Sequence, residues 1–298
     1  MQYQNVRKNK IQTGVTMFGF MLIIYFLSYL ICENFNMGYF GMILSLIIAS
    51  TSTFLSYWNA DKIVLSLVNA RKPTGMEEHY INELLVNLCI AAGLSKVPDL
   101  YIMDTPQENA FATGRDLEHS VICLTTGIIE KLDRVELEAV IGHELTHIIN
   151  KDMAVTTIVS VMAGFITILS DMALRAGFRG GNSDSDNGGS SVIILILGIL
   201  ALVFMPLISR LVELFISRRR EYMADAGAVA LTRNPEALIN ALIKIHEDPN
   251  KLDVSARSVQ GLFISNPDPK LKKLTGESSV FSSHPTLEER VNAIRNLR

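Results

Sequence analysis

His143-Glu144-Leu145-Thr146-His147 is an HExxH pattern, and it gathers in five residues the groups best suited to metal chemistry. On a helix, positions four apart share a face, so the two imidazoles can reach one zinc ion. Glu144 stands one residue round, where it can hold and deprotonate a metal-bound water, whose pKa zinc lowers from about 16 to about 7. The pattern alone arises by chance in roughly one chain in a hundred of this length, and two polar residues on an amphipathic helix would look the same. A catalytic zinc takes a third ligand from the protein and keeps its fourth position for water. The run Ser217-Arg218-Arg219-Arg220-Glu221-Tyr222-Met223-Ala224-Asp225 offers two carboxylates on one helical face. Glu221 can ligate the metal. Asp225 can accept the other ring N–H of a zinc-bound histidine and so fix its tautomer. The same pair also reads as an acidic face beside three arginines, which suit anchoring at anionic headgroups.

These residues need scaffolding, and the chain supplies it in two polar regions separated by apolar ones. In the first, Glu77 to Ala92 has Ile81, Leu84, Leu85 and Leu88 at helical spacing, with Gly93 as its C-cap. Asp99 to Met103 and Ser120 to Leu124 read as short strands, with Asn109 to Gly114 as a third between them. Arg134 to Asn150 is the helix bearing HExxH, and it runs into the next apolar segment without a breaker. In the second region, a helix follows Ser217, another spans Pro235 to His246, and a last one spans Thr286 to Leu297. The stretch between the last two, with Pro249, Pro267, Pro269 and Gly276, reads as loop.

Across 298 residues, 49% are hydrophobic and 19% charged, and the mean hydropathy is +0.28. Four apolar segments account for this: Ile11 to Ile31, Gly38 to Tyr57, Met153 to Leu174, and Val192 to Ile208 with an extension to Ile216. A bilayer core of about 30 Å needs about 20 helical residues, which the first three provide; the fourth is borderline. Buried helices of a soluble domain are the alternative for the third and fourth. Arg7, Lys8 and Lys10 precede the first segment, but its length and the absence of a small-x-small site favour a retained membrane helix over a signal peptide. Lys62, Arg71 and Lys72 follow the second segment, and Arg210, Arg218, Arg219 and Arg220 follow the fourth. The positive-inside rule then places both termini and both polar regions in the cytoplasm. Ala176 to Ser191, rich in Gly, Ser, Asn and Asp, becomes an external loop. A net charge of −3 gives no reason to expect nucleic acid, and Cys32, Cys89 and Cys123 form no disulfide framework or thiolate metal site.

Four stretches together resemble the HtpX family of membrane-embedded zinc endopeptidases, bacterial relatives of the CAAX prenyl proteases. They are Asn109-Ala110-Phe111-Ala112-Thr113-Gly114, the HExxH helix with Asp152 after it, the Ser217–Asp225 run, and Ser283-His284-Pro285 followed by Glu289-Arg290. The resemblance implies one Zn2+ per chain held by His143, His147 and Glu221, with Glu144 as general base and Asp225 supporting a histidine ligand. By likeness to zincin peptidases, Asn109, Ala110, Phe111 and Ala112 would form an edge strand that pairs with an extended peptide substrate. His284 can donate to the oxyanion of a tetrahedral intermediate or serve structure alone. Arg290 can orient the site or pair with a carboxylate.

The expected fold is a mainly α integral membrane protein with about four transmembrane helices. Its cytoplasmic metalloprotease domain is α+β and zincin-like, with a small sheet that has an exposed edge strand. Residues 1–58 form a membrane hairpin, 59–152 the first half of the protease domain, 153–216 a second hairpin and 217–298 the second half. A continuous helix would put His147 only about 9 Å from Met153, so the metal site would sit at the surface of the cell membrane. The expected activity is zinc-dependent hydrolysis of misfolded or damaged membrane proteins on the cytoplasmic side, as proteolytic quality control. Alternatives are a narrow-specificity processing protease and a non-hydrolytic membrane chaperone or adaptor; a transporter finds little support, with no charged residue placed mid-span for an ion path. Polypeptides and the lipid bilayer are the expected partners.

Overall fold

The computed structural model describes residues 2–34, 36–161, 218–250, 261–265 and 285–297. The chain is mainly helical. α1 (Gln2–Asn34) and α2 (Gly38–Trp58) form an antiparallel pair. Their contact uses a small-residue face of α2: Gly41, Ser45, Ala49 and Thr53 are its buried positions. Cys32 lies so near Gly41 that an added Cβ would sit 2.8 Å from its Cβ. Close approach of this kind lets helices associate by dispersion without large side chains. The opposite face is apolar and exposed at Phe40, Ile43, Leu46, Ile47 and Phe54. Among the described residues, α2 is the one helix long and apolar enough to cross a membrane, while the apolar part of α1 is Thr13–Phe26. Most of the third apolar segment, all of the fourth and the 176–191 connection lie outside the described residues.

After α3 (Ala60–Leu67) and α4 (Gly75–Ala91) comes a three-stranded sheet of β1 (Asp99–Met103), β2 (Ala110–Gly114) and β3 (Ser120–Thr125), in the order β1-β3-β2. β1 runs parallel to β3 with Asp99 opposite Val121, and β2 runs antiparallel to it with Ala110 opposite Leu124. β3 is buried along its whole length, which suits its continuous Val-Ile-Cys-Leu run as a central strand covered on both faces. Gly93 caps α4 at φ +66°, with Gly93 N–H on the Ile90 carbonyl and Leu94 N–H on that of Cys89.

α5 (Thr126–Lys131) leads into α6 (Arg134–Asn150), which starts in a reciprocal capping box between Asp133 and Glu136. Leu137, Val140, Ile141 and Leu145 of α6 are fully buried in one core with Leu84, Leu85, Leu88, Ile122 and Leu124. The helix does not run on into the following apolar segment as the sequence suggested. Lys151 adopts a left-handed conformation at φ 55°, and a new helical stretch starts at 153. Lys151 N–H bonds the Ile148 carbonyl and Asp152 N–H that of His147. These bonds satisfy C-terminal carbonyls of α6, which is what an αL cap does.

α7 (Arg218–Thr232), α8 (Pro235–Glu247) and α9 (Leu287–Arg295) complete the described fold. α7 lies directly against α6. An added Cβ on Gly142 would meet Ala228 Cα at 3.5 Å, and one on Gly227 would meet Thr146 Oγ1 at 2.5 Å. The two helices that carry the candidate ligands are therefore held almost backbone to backbone. On the other side of the sheet a second core joins Val64 and Val68 to Met103, Phe111, Cys123 and Phe263.

Candidate metal centre

His143, Glu144 and His147 come from the middle and end of α6, and Glu221 from the first turn of α7. The Nε2 atoms of the two histidines are 3.3 Å apart. Glu221 Oε2 is 3.7 Å from His143 Nε2, and Oε1 is 3.7 Å from His147 Nε2. Ligands held at about 2.0–2.1 Å around a tetrahedral zinc are separated by about 3.3 Å, so these three donors have the spacing of a metal site. They are also the only group of three His, Cys, Asp or Glu side chains with such mutual proximity among the described residues.

Each histidine has its own carboxylate behind it. His143 Nδ1 lies 3.0 Å from Asp225 Oδ1, and His147 Nδ1 lies 3.1 Å from Asp152 Oδ1. Holding Nδ1 in this way leaves each Nε2 to face its partner, as a ligating imidazole requires. Asp225 is the residue for which the sequence suggested such a contact. Asp152 was not assigned this contact, which exists because the turn at Lys151 folds the chain back onto His147. Arg290, from α9, grips Asp225 with Nε at 2.9 Å and Nη2 at 2.6 Å, and lies 3.4 Å from His143 Nδ1. Of its two possible roles, pairing with a carboxylate is the one observed, and that carboxylate is the one supporting His143.

Burial of these charges explains their protonation. Burial raises the Glu144 carboxyl to about 7, with the negative Glu221 adding to the effect. Burial also opposes a charge on His147, but Asp152, Glu221 and Glu144 outweigh it and raise its pKa to about 10. At His143, burial prevails and the pKa falls despite Asp225. Burial disfavours ionised Asp225, yet Arg290 and His143 more than compensate and hold its pKa low. The surroundings therefore favour a positive charge between the histidines. Donor types, spacing and charge all fit a metal ion.

A cavity opens beside this group, lined by Ala112, Glu144, His147, Met153, Arg220 and Phe263 among others. Glu144 is 1% exposed. It accepts a hydrogen bond from the Ala112 backbone N–H, and its Oε1 has no hydrogen-bond partner. A buried carboxylate oxygen without a donor, in the wall of this cavity, is suited to hold a water or an amine proton. Arg220 lines the cavity, which differs from the headgroup anchoring suggested by its place in an arginine run; Arg219 is exposed.

The 109–112 strand lies beside the centre, but it is not an open edge. Asn109, Ala110, Phe111 and Ala112 are each at most 5% exposed. Ile264 N–H bonds the Ala110 carbonyl at 3.0 Å. Phe111 turns to the face away from α6, and its ring packs edge-on against Phe263 with centroids 5.3 Å apart. It joins the core on that side of the sheet. His284 lies outside the described residues; Pro285, next to it, is buried.

Comparison with known proteins gives a consistent result. The model of Peptidase family M48 matches residues 76–298. A protein named Protease HtpX homolog from Thermoanaerobacter pseudethanolicus is 38% identical over 100% of this chain and 97% of its own length. One of the same name from Dictyoglomus thermophilum is 36% identical over 98% and 94%, and one from Streptococcus uberis is 33% identical over 100% of both. A crystal structure of S. mikatae Ste24p aligns with TM-score 0.49 and 19% identity, covering 98% of this chain and 67% of that one.

Proposed function

The chain belongs to peptidase family M48 and is a membrane-bound metalloprotease, and we propose that it is a zinc endopeptidase cutting misfolded or damaged membrane proteins at the cytoplasmic face of the cell membrane. The observation that carries this reading is the convergence of His143, His147 and Glu221 beside buried Glu144. His143, His147 and Glu221 would hold the zinc, and zinc when bound supplies a Lewis acid that polarises a carbonyl and acidifies water. Glu144, buried beside these donors, would take a proton from water and return it to the departing amine. Asp225 and Asp152 keep the imidazoles oriented. Arg290 balances the charge of Asp225 so that it can remain ionised in a buried place.

The membrane assignment rests on α2, on the apolar segments of the sequence and on the contact of Phe20, Ile24 and Ala49 with Ile158 just beyond the HExxH helix. That contact supports a site mounted close to the bilayer and suited to chains leaving it. Cytoplasmic orientation follows from the lysines and arginines that flank the apolar segments. The test is cleavage of a panel of membrane proteins by the purified chain, with zinc removed and restored. Glu144→Gln should retain zinc and lose cleavage. A Glu144→Gln variant that still cuts would overturn the role of Glu144, and cleavage of one panel member alone would favour a processing protease.

A further inference from the structure

β2 has one row of backbone groups facing away from β3, and residues 261–265 already meet it. Ile264 N–H donates to the Ala110 carbonyl at 3.0 Å, and the Asn109 side-chain amide donates to the Ser265 carbonyl, also at 3.0 Å. The Ile264 carbonyl accepts from Arg290 Nη1 at 3.0 Å. Residues 261 and 262 belong to a short 3-10 turn and 263–265 bend, so the segment is a turn held against the edge, with its side chains on both sides. Phe263 packs on Phe111 on one side of the sheet, and Ile264 joins Ala110 and Ala112 on the other. Gly261, Leu262, Phe263 and Ile264 line the same cavity as Glu144, His147 and Glu221. Beside the proposed metal, residues 264 and 265 thus occupy one backbone acceptor and one side-chain donor that an extended peptide adding to this edge would use.

We propose that residues 261–265 occupy the peptide-binding edge in place of a substrate, and that the edge takes an extended segment with bulky apolar side chains on both faces, which displaces them. The inference rests on the endopeptidase reading above. The Ala110 carbonyl and the Asn109 amide can serve one segment at a time, so a bound chain and residues 261–265 compete for them. Phe263 and Ile264 are 0% and 2% exposed. Their departure uncovers apolar surface on both faces of the sheet, and an incoming chain must cover it again. A polar peptide does not. An apolar segment does, provided it is extended, because a helix has no free backbone groups to offer an edge. The edge therefore selects apolar chain that has lost its helical structure.

The test measures binding in the full-length, zinc-loaded chain in detergent, with Glu144→Gln in the background so that nothing is cut. The probe is a fluorescent pentapeptide, Gly-Leu-Phe-Ile-Ser, followed by anisotropy. Ile264→Pro removes the N–H that bonds Ala110, so the variant should bind the probe about threefold to tenfold more tightly, the weight of one backbone hydrogen bond. The same peptide N-methylated at its isoleucine cannot donate to Ala110 and should show no gain. Equal or weaker binding by a zinc-loaded Ile264→Pro variant overturns the proposal. If the proline variant does not fold, Ile264→Ala keeps the N–H but loses the apolar anchor, and the same gain is required of it. A wild-type chain that binds the probe but cleaves nothing refutes the endopeptidase reading alone. A chain that cleaves but shows no gain in either variant refutes this inference alone.

Discussion

Replacing Arg290 with methionine keeps an apolar stem of similar length and removes one positive charge from behind the metal centre. The side chains of Arg290 and Asp225 are only 4% and 1% exposed. They share two hydrogen bonds of 2.9 and 2.6 Å. After Arg290→Met, Asp225 keeps His143 Nδ1 as a partner at 3.0 Å, but its charge is no longer balanced. Breaking a buried ion pair from one side costs about 3–5 kcal/mol, consistent with two charge-assisted hydrogen bonds of about 1.5–3 kcal/mol each. For a domain of this size that lowers the unfolding midpoint by about 6–20 °C. Adding Asp225→Asn removes the stranded charge, so the double variant should recover a large part of the loss. Metal affinity should behave differently. Asp225→Asn alone weakens zinc binding about 10- to 100-fold through His143, whereas Arg290→Met removes a cation's repulsion and should not weaken it. The assays are thermal unfolding in detergent and zinc competition against a chelator. An Arg290→Met variant within about 1 kcal/mol of wild type, or one that loses zinc as Asp225→Asn does, would refute the charge-balance argument.

Asp152→Ala should lower zinc affinity about 10- to 100-fold while the helices stay folded, because only the Nδ1 partner of His147 is lost; chelator competition with circular dichroism reads both. Gly227→Ala drives a methyl group into Thr146 and should destabilise by about 1–3 kcal/mol, with weaker zinc binding as α6 and α7 separate. Gly142→Ala is the control, since its new methyl meets Ala228 at an ordinary 3.5 Å, and its unfolding midpoint should stay near wild type. Lys151→Gly relieves a left-handed residue at φ 55° and should be neutral or stabilising by up to about 1 kcal/mol with cleavage intact. A substantial loss of stability there would mean that the turn at 151 is not part of the working structure.

Much of the site was legible because its chemistry is local. His143 and His147 are one helical turn apart, as are Glu221 and Asp225, so period alone put each pair on one face. β1, β3 and α6 were equally readable, from short apolar runs and from the helical HExxH pattern, although the Asp133/Glu136 cap that starts α6 emerged only in the structure. What escaped depends on contacts between distant segments. No local pattern marks Lys151 as left-handed; a lysine there scans as helix, and with the turn unseen, the contact from Asp152 to His147 was unseen too. Arg220 looked like part of a basic run because the cavity it lines exists only once α7 lies against α6. The edge of β2 looked open because the turn that meets it is more than a hundred residues away in sequence. Phe111 was grouped with Ala110 and Ala112 by its position in a motif, although strand alternation puts it on the opposite face of the sheet from them.

The glycine-lined contact of α6 with α7, and the reach of Arg290 from α9, also bear on how the enzyme comes into being. The histidine pair is synthesised near the middle of the chain, its third donor only after two further apolar segments, and the guanidinium that balances Asp225 almost at the end. A nascent chain therefore carries half a protease without the means to act as one. Proteolytic capability arrives with completion, so a stalled or truncated copy should be inert rather than a loose enzyme. Chains ending just before Thr286, assayed for zinc and cleavage beside the full-length protein, should show no activity. The order in which the residues are made is itself a safeguard.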